Sequence, residues 1–150
     1  MSTGVDPSAL RSAREKAGLT QHELARLIGA AGGERVSRWE LGMSEPRPDF
    51  LVKLARTLRI PALRLIHFEG DIPDLRGLRL KAGLTGPQLA SRTNLSMPTY
   101  LRWEAGQWTR LPSIVIIESL AKAVDEPVSV VVAGFREAQR LREIRANPNI

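Results

Sequence analysis

Cysteine is absent from this 150-residue chain, which excludes disulfides, thiolate metal sites and cysteine nucleophiles. Histidine is scarce, and neither His22 nor His67 has a carboxylate cluster at ligand spacing beside it; no metal and no cofactor are expected. A nucleophile–base pair, paired carboxylates and a phosphate-cradling glycine loop of the P-loop type are all missing, so the expected function is not enzymatic. No apolar run approaches the roughly 18 residues of a membrane span. The opening MSTGVDPSAL carries neither the basic nor the apolar region of a signal peptide. A cytoplasmic chain without a membrane partner is therefore expected. Lysine is also rare, at 4 against 18 arginines, yet the net charge is +6 and an anionic partner fits it. Apolar and charged residues at 43% and 25% are the proportions of a folded globular chain rather than a disordered one.

What the chain does contain is a repeat. RVSRWELG, from Arg35 to Gly42, returns as YLRWEAG, from Tyr100 to Gly106, although there are only three tryptophans. The match is longer than those strings. LRSAREKAGLTQHELARLIG (Leu10–Gly29) aligns with LRGLRLKAGLTGPQLASRTN (Leu75–Asn94) at an offset of 65. The offset is 64 at Arg38-Trp39-Glu40 and Arg102-Trp103-Glu104, and 66 at Leu54-Ala55 and Leu120-Ala121. Such a run of matches marks a tandem duplication with its boundary near residue 70.

Each copy reads as short helices. In the first, Asp6 is an N-cap with Pro7 at the first helical position, and Gly18 is a stop. Thr20 and Glu23 form a capping box that opens a helix over Gln21–Ile28. After GAAGG comes a helix with Val36 and Trp39 on one face, then a helix capped by Asp49 and running to about Leu58. A short fifth helix is expected after Pro61. In the second copy Asp74, Gly83, Thr85 with Gln88, and Ser96 play the same parts. PVSVVVAG (127–134) reads as strand or helix, and its alignment with the segment after Pro61 favours helix. The tail FREAQRLREIRANPNI is a basic amphipathic helix ending near Asn147-Pro148. It either packs on the bundle or adds phosphate contacts, with a solvated helix as the default.

The stretches AGLTQHELARLIG, VSRWELG and LVKLARTLRI, with AGLTGPQLASRTNLSMPTYLRWEAG and IESLAKAV, resemble the Cro/CI-type helix-turn-helix of phage repressors. The resemblance covers nearly the whole chain. The fold it implies is all-α: two tandem five-helix helix-turn-helix bundles of the phage-repressor type, residues 1–70 and 71–150, the second with the basic tail helix. It implies a core of Leu19, Leu24, Ala25, Val36, Trp39 and Leu54, with Leu84, Leu89, Ala90, Tyr100, Trp103 and Leu120 in the second copy. It also implies structural ion pairs between Arg14 and Glu40 and between Arg79 and Glu104, so the repeated Trp and Glu have a structural explanation first.

In a helix-turn-helix the second helix of the pair enters the major groove. With Val36 and Trp39 inward, Glu34, Arg35, Ser37 and Arg38 turn outward. Arg38 is the strongest base-reading candidate, since a guanidinium pairs bidentately with guanine. Glu34 either accepts from cytosine or repels phosphate. By resemblance Gln21 is a phosphate contact that also braces the recognition helix, and Ser44 and Arg47 lie in the phosphate-facing loop. GAAGGERV has one residue more than the usual turn, which leaves the register of Glu34 and Arg35 open. In the second copy Gly86 and Pro87 replace Gln21 and His22, removing that phosphate contact. Its outward set is Met97, Pro98, Thr99, Leu101 and Arg102, and the following loop adds Trp108, Thr109 and Arg110. Trp108 either lines a sugar-phosphate backbone or covers the core.

Charge does not separate the halves, since residues 1–70 and 71–150 each hold 11 basic and 8 acidic groups. The expected partner is double-stranded DNA, in the cytoplasm and associated with the nucleoid. The favoured function is a sequence-specific transcriptional regulator, a repressor of the phage-immunity type, acting as a monomer whose two units read an asymmetric site. The alternative is an antitoxin-like or homodimeric regulator in which only the first unit binds DNA and the second is a protein-interaction module.

Overall fold

The computed structural model describes residues 2–149. The first unit runs β1 (Gly4–Val5), α1 (Pro7–Lys16), α2 (Gln21–Ile28), α3 (Gly33–Glu40), α4 (Pro48–Leu58), a 3-10 turn (Ala62–Leu65) and β2 (Ile66–His67). The second runs α5 (Leu75–Lys81), α6 (Gly86–Arg92), α7 (Met97–Glu104), α8 (Ile114–Val124) and α9 (Val128–Ala146). The chain is thus mostly helical, and no helix among the described residues is long and apolar enough to cross a membrane.

Local chemistry sets the helix starts. Asp6 accepts from the Ala9 amide at 3.1 Å and Asp74 from Gly77 at 3.0 Å. Both capping boxes close reciprocally, Thr20 with Glu23 and Thr85 with Gln88, and Ser96 caps α7. Gly18, Gly29 and Gly83 end their helices at positive φ.

Two local expectations need correction, and a third is borne out but extended. Asp49 is not the cap of α4: the cap position is Arg47, with Pro48 at the first helical residue. Proline is pre-organised for that position and holds the preceding residue extended, so the helix starts before the aspartate. The fifth helix of the first unit is only a 3-10 turn, after which the chain straightens. Val5 and Gly4 pair antiparallel with Ile66 and His67, and this pairing takes up backbone groups that a longer helix would have bonded internally. In the second unit PVSVVVAG is helical, but it is continuous with the basic tail as the 19-residue α9.

The first core gathers Leu10, Leu24, Ala25, Val36, Trp39, Leu51 and Leu54, and the second gathers Leu78, Leu89, Ala90, Tyr100, Leu120, Val131 and Phe135. Leu84 is buried too, whereas Leu19 and Trp103 are half-buried against their cores. The cores are stitched together. Leu80 of α5 is buried in the first core. Val52 of α4 lies so close to Gly83 that a methyl on that glycine would come within 2.7 Å of Val52 Cγ2. The Thr3 hydroxyl accepts from the Glu69 amide and donates to Asp74, each at 3.1 Å, while Arg145 pairs with Glu69 at 2.7 Å. At the repeat-equivalent positions Val52 becomes exposed Glu118 and Leu80 becomes exposed Glu15. The α4–α5 part of the junction is apolar, and its counterparts on the outer sides of the two units are charged.

Candidate nucleic-acid interface

The recognition helix of the first unit is held at both ends. At its start, α3 passes close to α2: a methyl on Gly33 would lie 2.9 Å from the His22 backbone nitrogen. Only glycine fits there without displacing backbone. At its end, Glu40 receives Arg14 Nε at 2.6 Å and Nη2 at 2.9 Å, while Arg14 Nη1 donates to the Leu19 carbonyl at 2.8 Å. The bond to Glu40 and its negative charge raise the Arg14 pKa, despite the opposing effect of burial. Gln21 Nε2 also donates to Glu40, at 3.1 Å. The Gln21 amide therefore ties the start of α2 to the end of α3, which is the bracing part of its expected role.

On the outer face of α3, Glu34, Arg35 and Arg38 are exposed and Ser37 is half-buried. Glu34, Arg35 and Arg38 share an open concavity of about 470 Å³ with Ser44 and Arg47 from the following loop. Residues from helix and loop thus converge on one surface, and Gln21 does not line it. The double glycine places the α3 start at Gly33 without a side-chain cap. The remaining outward residues keep helical spacing from there.

The second unit repeats the frame with different contents. Arg79 binds Glu104 through Nε at 2.9 Å and Nη2 at 2.7 Å, and donates to the Leu84 carbonyl at 3.1 Å. Burial lowers and Glu104 raises the Arg79 pKa, with a net rise. No glutamine braces this pair. Tyr100 packs beside it with a buried hydroxyl that meets neither partner in a well-formed hydrogen bond. Burial, reinforced by the Glu104 charge, pushes its ionisation well up.

Met97 is half-buried on the second core, and its methyl occupies the space a side chain at Gly86 would need, 2.8 Å from the position of that missing Cβ. It was expected to point outward; the gap left by Gly86 draws it in. Pro98, Leu101 and Arg102 are exposed, while Thr99 is half-buried and receives the Ser96 hydroxyl at 2.7 Å. Leu101 and Arg102 face different hollows. Leu101 lines one between the units, with Arg76, Glu104 and Arg145. Arg102 lines another of about 440 Å³ with Trp108, Thr109 and Arg110.

Trp108 does cover core, since its indole N–H donates to the Phe135 carbonyl at 3.1 Å and its ring stands edge-on to Phe135. It also remains part of the Arg102 hollow. Arg142 of α9 lines the same hollow and escaped the sequence reading. The only sequence clue was the basic character of the tail.

Residues 10–65 match a family model described as helix-turn-helix, and residues 74–131 match another described as helix-turn-helix domain. Comparison with curated proteins and with solved structures gives no match.

Proposed function

Because the chain consists of two helix-turn-helix domains in tandem, a family that suggests DNA binding and transcriptional regulation, we propose that it is a sequence-specific repressor of the phage-immunity type, acting on double-stranded DNA in the cytoplasm. Its domains are residues 1–70 and 71–150, and both read the major groove. The observation that carries this reading is the paired placement of Arg38 and Arg102, equivalent in the repeat, both exposed, each opening onto a hollow with an arginine of the following loop, Arg47 beside Glu45 in the first unit and Arg110 in the second. The contents of the two outer faces differ, and the apolar α4–α5 contact holds the units together. A site bound by one chain is therefore asymmetric, unlike the palindrome of a homodimer.

Glu34, Arg35, Ser37 and Arg38 form the base-reading face of the first unit, with Ser44 and Arg47 on phosphates and Gln21 bracing. Pro98, Thr99, Leu101 and Arg102 form that of the second, with Trp108 and Arg110 beside the backbone and Met97 supporting from behind. One feature favours the alternative, in which the second unit is a protein-interaction module: Ile114 and Val115 at the start of α8 are 56% and 70% exposed. Selection of bound duplexes from a random pool tests the proposal. Enrichment of one sequence class is the expected result; retention without enrichment across salt concentrations would show a chain that does not read sequence.

A further inference from the structure

Of the arginines on α9, Arg140 and Arg145 are partnered, whereas Arg136 and Arg142 have no ion-pair partner among the described residues. Arg140 is bonded to buried Glu137 at 2.6 Å, and Arg145 to Glu69 at 2.7 Å. Arg142, between them, is exposed and has no ion-pair partner among the described residues; neither do Arg102 and Arg110. All three open onto the same hollow beside Trp108.

The elements carrying them are fixed to each other. Trp108 donates from its indole to the Phe135 carbonyl, and Gln139 Nε2 donates back to the Trp108 carbonyl at 2.8 Å. Gly106, at the end of α7 with φ of 78°, sits under α9, where a methyl would lie 3.0 Å from Arg142 Cβ and would collide with the Ala138 carbonyl. The backbone positions from which α7, the loop and α9 project these three arginines are therefore fixed relative to one another. A hollow lined by three arginines and no carboxylate is electropositive and favours an anion. Planar guanidiniums beside an aromatic face suit phosphate oxygens and the adjoining sugar.

We infer that Arg110 and Arg142 form a phosphate-binding cleft beside the base-reading Arg102, and that the part of α9 beyond residue 134, which has no counterpart in the first unit, extends the second unit's contact along the DNA backbone. The inference rests on the DNA-binding proposal and adds to it a residue outside both helix-turn-helix matches. The test is the salt dependence of affinity for a 30-base-pair duplex of mixed sequence, read by fluorescence anisotropy on the full chain. Each phosphate neutralised contributes a slope of roughly 0.9 in log K against log salt.

Arg142→Ala is expected to lower that slope by about one contact and to weaken binding roughly eightfold at 0.1 M salt. Arg142→Lys keeps the slope, and Arg136→Ala, at an exposed arginine of the same helix outside this hollow, leaves it unchanged. Arg142 is exposed, so the substitutions leave the core intact. A wild-type slope in Arg142→Ala, with wild-type binding itself salt-dependent, overturns the cleft while leaving the DNA-binding proposal standing. Failure of the wild-type chain to bind the duplex at any salt overturns both.

Discussion

The two units solve one packing problem in opposite ways. Where α2 meets α3 the first unit places a large residue on α2, Gln21, and a small one on α3, Gly33; the second places small Gly86 on α6 and large Met97 on α7. Gln21 reaches Glu40, whereas Met97 fills the void above Gly86 with apolar volume. A polar tie in one copy corresponds to an apolar plug in the other, while the bidentate Arg–Glu pair below is the same. The invariant part of the repeat holds the recognition helix, and the exchanged part adjusts how closely the two helices of the motif approach. A duplicated scaffold can thus keep its orientation of α3 and α7 and still present different outer chemistry.

The largest effects are expected at the ion pair that the two units share. Glu40→Ala and Glu104→Ala each leave a buried arginine without its partner, and each is expected to cost roughly 3–5 kcal/mol in urea unfolding. Glu40→Ala should lie at the larger end because it also releases Gln21. A cost well below this range in both would mean that solvent replaces the carboxylate and that the pair does not hold the helix.

The small residues come next. Gly33→Ala sets a methyl against His22 backbone and should destabilise by about 1–3 kcal/mol, as overpacking of a close contact does. Gly86→Ala meets only the end of the Met97 side chain, which can swing away, so its cost should stay below about 1 kcal/mol. Equal costs in thermal or urea unfolding would show that the exchange of large and small residues is not the compensation described.

The arginines test function rather than stability. Arg38→Ala and Arg102→Ala should each remove roughly 1–3 kcal/mol of base discrimination, in separate parts of the selected site, as read by binding to single-base variants. Unchanged base preferences in Arg38→Ala would place a different face of α3 in the groove.

The smallest effect concerns the two aspartate caps. Asp74 does for α5 what Asp6 does for α1, but it is buried, and desolvation raises its pKa against the opposing bonds from Gly77 and Thr3. A carboxyl with a raised folded pKa holds its proton more readily when folded. Its contribution to stability is therefore fullest in acid and declines as pH rises through the folded value. Asp74→Asn keeps an oxygen for the cap, so the variant should lose that decline, and unfolding curves from pH 3 to 7 would show it gaining on the parent as pH rises. A variant that instead loses ground to the parent as pH rises would mean the ionised form is the one the fold prefers.

Much of the fold was legible because its signals are local. Capping boxes, Asp6-Pro7 and the positive-φ glycines act within one turn of chain, and the helices they open stand where they were expected. Asp49 misled because two cap signals stood side by side and Pro48 prevailed. The repeat made Arg14–Glu40 and Arg79–Glu104 recognisable through family resemblance.

What stayed hidden depends on contacts distant in sequence. The exchange of Gln21 and Gly33 for Gly86 and Met97 appears only when α2 and α3 are brought together. Leu80 reads as an ordinary helix residue until Val52 and Gly83 show that it sits at a junction. Arg142 lies beyond the repeat, so no comparison of the copies points to it, and only the continuity of α9 carries it back over α7.

Whether one chain reads DNA with two unequal units is decided by the mass of the complex on the selected duplex, measured by light scattering. One chain on an asymmetric site longer than about one helical turn is expected. Two chains on a short palindrome would contradict the two-unit reading, and would assign the second unit to holding partners together rather than to reading DNA.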